Sequence, residues 1–222
     1  MNKPSRLDTV QRILSCGVVA IVRMDDAAGL GQVAGAIRSG GIDVIEFTMT
    51  TPGALRIIER TAADLGDQVV LGAGTVLDTE TARAAILAGA RFIVAPGLSL
   101  PVIELCHRYD VVVLPGVLTP TEMLTAWQAG ADLLKLFPAT AMGPQYIKDV
   151  LAPLPYLRIV PTGGVSLANT PDFIAAGAAA VAVGSNLVDR KLVKSGRWDE
   201  LAALAGQFAA AVRGAQTARG TI

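Results

Sequence analysis

The sequence predicts an α/β fold of the (β/α)8 (TIM) barrel class, formed as one domain over residues 1–222 with an additional N-terminal helix. Three observations lead there. Short β-branched apolar runs, nearly free of polar residues, recur along the chain, as strands do when a parallel sheet is covered on both faces. Amphipathic stretches with helix-start chemistry separate most of them, and glycine stands just ahead of the next run where a left-handed helix end is expected. Eight such runs in 222 residues give about 28 residues per β–α unit, which suits a compact barrel. An open doubly wound sheet shares this alternation and stays as the alternative, because the pattern alone does not prove closure.

In chain order, residues 1–15 are expected to form an amphipathic helix covering the bottom of the barrel. Strand candidates follow at 18–22, 42–47, 69–73, 92–95, 111–114, 133–137, 157–160 and 180–183. Thr51-Pro52, Thr119-Pro120 and Thr170-Pro171 each offer an N-cap hydroxyl followed by proline at the first helical position, and Thr119 with Glu122 fits a capping box. The helices before four of the strands end in Gly40-Gly41, Ala88-Gly89, Ala129-Gly130 and Ala176-Gly177. A last helix is expected over 198–213, and no linker or shift in composition divides the chain.

Hydrophobic residues make up 52% of the chain, aromatic ones 5% and charged ones 17%, so aliphatic side chains must build the interior, and disordered or disulfide-scaffold classes are disfavoured. Lys+Arg 19 balances Asp+Glu 19, which lacks the basic footprint of a nucleic-acid binder and points to a small-molecule partner. Cys16 and Cys106 have no CxxC spacing and His107 is the one histidine, so neither a metal site nor a disulfide framework is expected. Charges, glycine or proline interrupt each apolar run before the roughly 18–20 residues of a membrane span. Met1 to Gln11 is charged and lacks the apolar core of a signal peptide, which leaves a cytoplasmic protein as the expectation.

Barrel chemistry occurs at the C-terminal strand ends, so polar residues late in apolar runs carry the functional information. The two-residue strand period puts Val44, Glu46 and Thr48 on one face and Ile45 and Phe47 on the other, which aims Glu46 into the barrel. The same alternation sends Lys135 inward from the sixth run. Arg23, at the end of the first, is the nearest candidate cation. A structural ion pair is the plain reading of any one such charge; two on separate strands, each costing several kcal/mol to bury, favour a functional cavity. Burial and Arg23 would lower the Lys135 pKa while Glu46 would oppose that shift, and a neutral amine can attack a ketone.

The loops after the last two runs read Pro161-Thr162-Gly163-Gly164-Val165 and Val183-Gly184-Ser185-Asn186, in the positions where barrels bind phosphate through backbone N–H groups and a short helix N-terminus. Thr162, Gly163, Gly164, Gly184 and Ser185 are therefore candidate phosphate-binding residues. Thr75 and Pro96, after the third and fourth runs, would line the same mouth, with Thr75 a hydroxyl donor to a substrate carboxylate. His107 reads as a structural helix residue, Asp132 as lying at the wrong end of its strand for catalysis, and Arg190, Lys191 and Lys194 as a solvated face.

On these residues the chain resembles the 2-keto-3-deoxy-6-phosphogluconate (KDPG) aldolases, also called 4-hydroxy-2-oxoglutarate (KHG) aldolases, over residues 13–212. The resemblance rests on Ile45-Glu46-Phe47-Thr48, Gly72-Ala73-Gly74-Thr75-Val76, Ala95-Pro96-Gly97, Pro115-Gly116-Val117, Leu134-Lys135-Leu136-Phe137-Pro138-Ala139, Pro161-Thr162-Gly163-Gly164 and Gly184-Ser185, in order. It implies a homotrimeric, metal-independent class I aldolase without cofactor, in which Lys135 forms a Schiff base with pyruvate, Glu46 shuttles protons, and Gly163, Gly164 and Ser185 hold phosphate. One departure stands out: Thr50 occupies a position where many members carry an arginine that helps hold substrate. Aldolases of the galactonate epimer, a sugar-phosphate epimerase or isomerase with Glu46 as base, and a non-catalytic phosphate-binding protein are the competing expectations.

Overall fold

The computed structural model describes residues 4–24 and 29–220. Ten α-helices and nine strands alternate along them: α1 (Arg6–Cys16), β1 (Val18–Val22), α2 (Leu30–Ser39), β2 (Val44–Thr48), α3 (Ala54–Leu65), β3 (Val70–Gly74), α4 (Thr79–Leu87), β4 (Phe92–Val94), α5 (Leu100–Arg108), β5 (Val112–Leu114), β6 (Gly116–Val117), α6 (Pro120–Gln128), β7 (Leu134–Leu136), α7 (Gly143–Leu151), β8 (Ile159–Pro161), α8 (Thr170–Ala175), β9 (Val181–Val183), α9 (Arg190–Lys194) and α10 (Trp198–Ala218). Every strand pair is parallel. One curled sheet runs β5-β4-β3-β2-β1-β9 and a second runs β6-β7-β8.

The expected eight-stranded sheet is thus divided in two. Its fifth strand is split at Pro115, which has no N–H to give to a ladder, so β5 ends before it and β6 begins after it. At the other junction a single parallel bridge, Thr162 with Ala182, connects the ends of β8 and β9.

Two apolar layers result from the strand period. Val19, Ile21, Val44, Val70, Phe92, Val112, Leu133 and Val160 form an inner cluster, whereas Ile45, Phe47, Leu134 and Leu136 join an outer one against the helices. Helix α1 closes the inner cluster with Val10 and Ile13. Its Arg12 bridges to the starts of two strands, donating to Asp43 Oδ2 at 2.8 Å and to the Asp67 and Gln68 carbonyls at 2.6 and 2.8 Å. Arg6 pairs with Asp132 at 3.2 Å, so the aspartate read as non-catalytic anchors this same helix. Of the helix expected over 1–15, residues 1–3 lie outside the described residues.

Helix ends follow the local chemistry with two differences. The Thr119–Glu122 capping box forms, and Gly41, Gly89, Gly130 and Gly177 all take positive φ after their helices. Thr51 does not cap α3, which starts two residues past Pro52 on Gly53. Its hydroxyl instead accepts from the Met24 N–H at 3.2 Å and meets the Thr48 hydroxyl at 3.3 Å. Asn169, not Thr170, precedes α8.

Candidate active site

Glu46 sits in the middle of β2 and Lys135 in the middle of β7, 2% and 6% exposed. Both point to the inner side, since their strand neighbours Ile45, Phe47, Leu134 and Leu136 all pack in the outer layer. Glycine makes room for the carboxylate: a Cβ on Gly74 would lie 1.7 Å from Glu46 Oε1. Burial pushes the Glu46 carboxyl above its ordinary range, against the pull of the Lys135 and Arg23 charges. Burial likewise lowers the Lys135 ammonium; Glu46 opposes that shift and Arg23 reinforces it. Each shift favours the neutral form, and among the described residues no hydrogen bond or ion pair locks the two together.

Beside this centre lies a cavity of about 380 Å3 lined by Thr162, Gly163, Gly164, Gly184 and Ser185. Gly163 and Gly164 have φ of 89° and 75°, and a Cβ on Gly164 would stand 2.6 Å from Thr140 Oγ1, so this turn requires glycine twice over. Asn169 Nδ2 ties back the Gly164 carbonyl at 2.9 Å, and Asn186 Nδ2 donates to the Val165 carbonyl at 2.7 Å, joining the two loops. After β9 the Leu187 and Val188 N–H groups both donate to the Gly184 carbonyl in a turn, and the short helix α9 follows.

Glu46 and Lys135 do not line the cavity; Arg23 and Phe137 connect the two regions. Arg23 lines the cavity and acts on the charges of both buried groups, and the Phe137 ring lines it with Lys135 Nζ 5.0 Å from the ring centre. Thr75 lies within 3.5 Å of the Arg23 guanidinium through its hydroxyl and has φ of 60°, a strained conformation for a β-branched residue. Neither Thr75 nor Pro96 lines this cavity; the Pro96 carbonyl approaches Gly116 so closely that a Cβ there would be 2.2 Å away. Sequence reasoning missed Asn186 as a loop tie; Arg190, read as part of a solvated face, is exposed and also lines the cavity. His107 is structural as read, meeting the Gly130 carbonyl at 2.8 Å.

A family model described as KDPG and KHG aldolase matches residues 10–204. The chain belongs to the KDPG and KHG aldolase family. It is an enzyme of the aldolase class. Among its relatives, the 2-dehydro-3-deoxy-phosphogluconate aldolase of Haemophilus influenzae is 33% identical over 196 residues, 88% of this chain and 92% of that protein. The 2-dehydro-3-deoxy-6-phosphogalactonate aldolase of Escherichia coli is 39% identical over a shorter stretch, 69% of this chain and 75% of that protein. A solved KDPG aldolase from Legionella pneumophila, with pyruvate captured as a covalent carbinolamine, superposes with a TM-score of 0.84 at 26% identity, covering 89% of this chain and 96% of that one. No helix among the described residues is long and apolar enough to cross a membrane.

Proposed function

We propose that this aldolase cleaves 2-keto-3-deoxy-6-phosphogluconate to pyruvate and glyceraldehyde 3-phosphate by a class I, Schiff-base route, and that it also accepts 4-hydroxy-2-oxoglutarate. The observation that carries the reading is a buried lysine and a buried glutamate, each biased toward its neutral form, next to a glycine-lined cavity for phosphate. Lys135 Nζ attacks the C2 ketone, and loss of water from the carbinolamine gives an iminium. Glu46 takes the C4 hydroxyl proton as the C3–C4 bond breaks; its electron pair flows to the iminium, giving the enamine and releasing the aldehyde. Glu46 returns that proton to C3, and hydrolysis frees pyruvate and Lys135. Thr162, Gly163, Gly164, Gly184 and Ser185 hold the phosphate, Arg23 and Thr75 the substrate's oxygens, and Pro96 shapes the rim. The gluconate-named relative matches more of the chain than the galactonate-named one, which supports the gluconate epimer.

The family resemblance also supports a single catalytic domain in a cytoplasmic homotrimer. The Pro115 junction and the Thr162–Ala182 bridge support reading the two sheets as one closed barrel. Leu77 and Leu100, 66% and 47% exposed beside the adjacent strands β3 and β4, offer apolar area for an interface. Trapping with pyruvate and cyanoborohydride, followed by peptide mapping, tests the chemistry: a single adduct on Lys135 is expected. A folded protein that forms no adduct would return Lys135 to a structural role and favour an epimerase or a binding protein.

A further inference from the structure

The β1–β2 ladder pairs Ile21 with Glu46 and ends on Val22 with Phe47, because β2 then runs on with β3, where the Met49 N–H donates to the Gly74 carbonyl at 2.7 Å. Beyond that last pair a side chain takes over. Thr51 Oγ1 accepts from the Met24 N–H at 3.2 Å. Thr51 is buried and its backbone is held in a turn, its N–H donating to the Thr48 carbonyl at 2.9 Å and its carbonyl accepting from the Ala54 N–H at 3.1 Å. The same hydroxyl meets that of Thr48 at 3.3 Å, and Thr48 lies one strand period past Glu46 on the same face. One buried oxygen thus joins the ends of β1 and β2, with Arg23 on one side of the joint and the Glu46 face on the other. Met24 packs in the outer layer, so the joint fixes the residue next to Arg23 while Arg23 itself is exposed and lines the cavity. The Arg23 charge acts on both Glu46 and Lys135, and a guanidinium on a long flexible stem holds one place only where its base is fixed.

We propose that Thr51 is a positioning residue, which through its hydrogen bond to the Met24 N–H sets where the Arg23 guanidinium stands beside the Glu46–Lys135 centre. Its place in catalysis rests on the aldolase reading, but its test needs no turnover. Glu46 favours the charged form of Lys135 and Arg23 disfavours it, so Arg23→Ala should raise the pH midpoint at which Lys135 titrates. That midpoint is read by NMR of the lysine ε-methylene in isotope-labelled protein, assigned by its loss in Lys135→Met. Thr51→Val should raise the midpoint as well, Thr51→Ser should restore it, and Arg23→Ala/Thr51→Val should move it no further than Arg23→Ala alone. A residue that serves stability alone would change Tm and leave the midpoint in place. In kinetics, kcat/KM should fall roughly fivefold in Thr51→Val and show no added loss once Arg23 is gone. Additive shifts, or a midpoint that either Thr51→Val or Arg23→Ala leaves unmoved, would overturn the proposal. If Thr51→Val does not fold, Thr51→Ala removes the hydroxyl without placing a methyl against the N–H and completes the same cycle. Failure of wild-type Lys135 to trap pyruvate would overturn the aldolase reading instead, leaving the titration cycle to decide on Thr51.

Discussion

At the residue scale, burial sets the direction in which each buried group's pKa moves, and the charge on the other opposes it. Lys135 must be neutral to attack, and burial lowers its pKa, so adduct formation should slow as pH falls through that lowered value. The carboxylate of Glu46 raises the Lys135 pKa and Arg23 lowers it, which fixes the signs of two variants. Glu46→Gln should move the acidic limb of the trapping rate to lower pH, and Arg23→Ala should move it to higher pH. Initial rates of pyruvate adduct formation across pH check both; limbs that stay in place would show that these charges do not reach Lys135. Replacing Lys135 with Met should abolish adduct and turnover alike. Space matters as much as charge: Gly74→Ala would drive a methyl into the Glu46 carboxylate, and a displacement of about 1 Å can reduce turnover roughly 100-fold. Because Gly74 is not in the left-handed region, circular dichroism should show the fold intact while kcat falls.

At the scale of elements, the helix–strand units are set by contacts that local sequence shows unequally. Arg12 joins α1 to the starts of β2 and β3 with three hydrogen bonds from one planar fork. Arg12→Ala should lower unfolding stability by about 2 kcal/mol with kcat unchanged, measured by urea titration and steady-state kinetics. The Thr119 cap was legible because hydroxyl, proline and glutamate stand at fixed local offsets. Thr51-Pro52 offers the same local chemistry, yet the Thr51 hydroxyl meets Thr48 and accepts from the N–H of Met24, a partner 27 residues away that no local window contains. Strands were legible for the converse reason. Covered on both faces, they leave near-continuous apolar runs in which a single Glu46 or Lys135 is conspicuous. Arg190 stands among other charges and gives no such contrast; only the fold brings it to the cavity wall. The break at Pro115 was present in the sequence as a proline, but its effect depends on the neighbouring strands to which its missing N–H would have bonded.

For the whole molecule, the buried pair makes stability depend on pH from both sides. A raised Glu46 pKa means the folded state keeps that proton longer, so the stability it contributes is present below the ordinary carboxylate range and is lost as pH rises through the folded value. For Lys135, with its pKa lowered, the contribution is present above the ordinary lysine range and lost as pH falls through the folded value. Where both groups are charged, both lower stability, offset in part by their mutual attraction. The double variant Glu46→Gln/Lys135→Met should therefore be inactive and have a higher Tm than wild type near neutrality. A Tm unchanged or lower there would mean that the attraction between the two charges compensates their desolvation.

Helix α1 seals the inner core at one end, while the cavity opens from the other ends of the strands. Mutational drift therefore meets two separate filters. Changes around Arg12 and Asp132 are screened by whether the chain folds, and changes in the Gly163–Gly164 and Gly184–Ser185 turns by which molecule it accepts. A lineage could exchange its mouth loops for a new substrate while inheriting its foundations untouched.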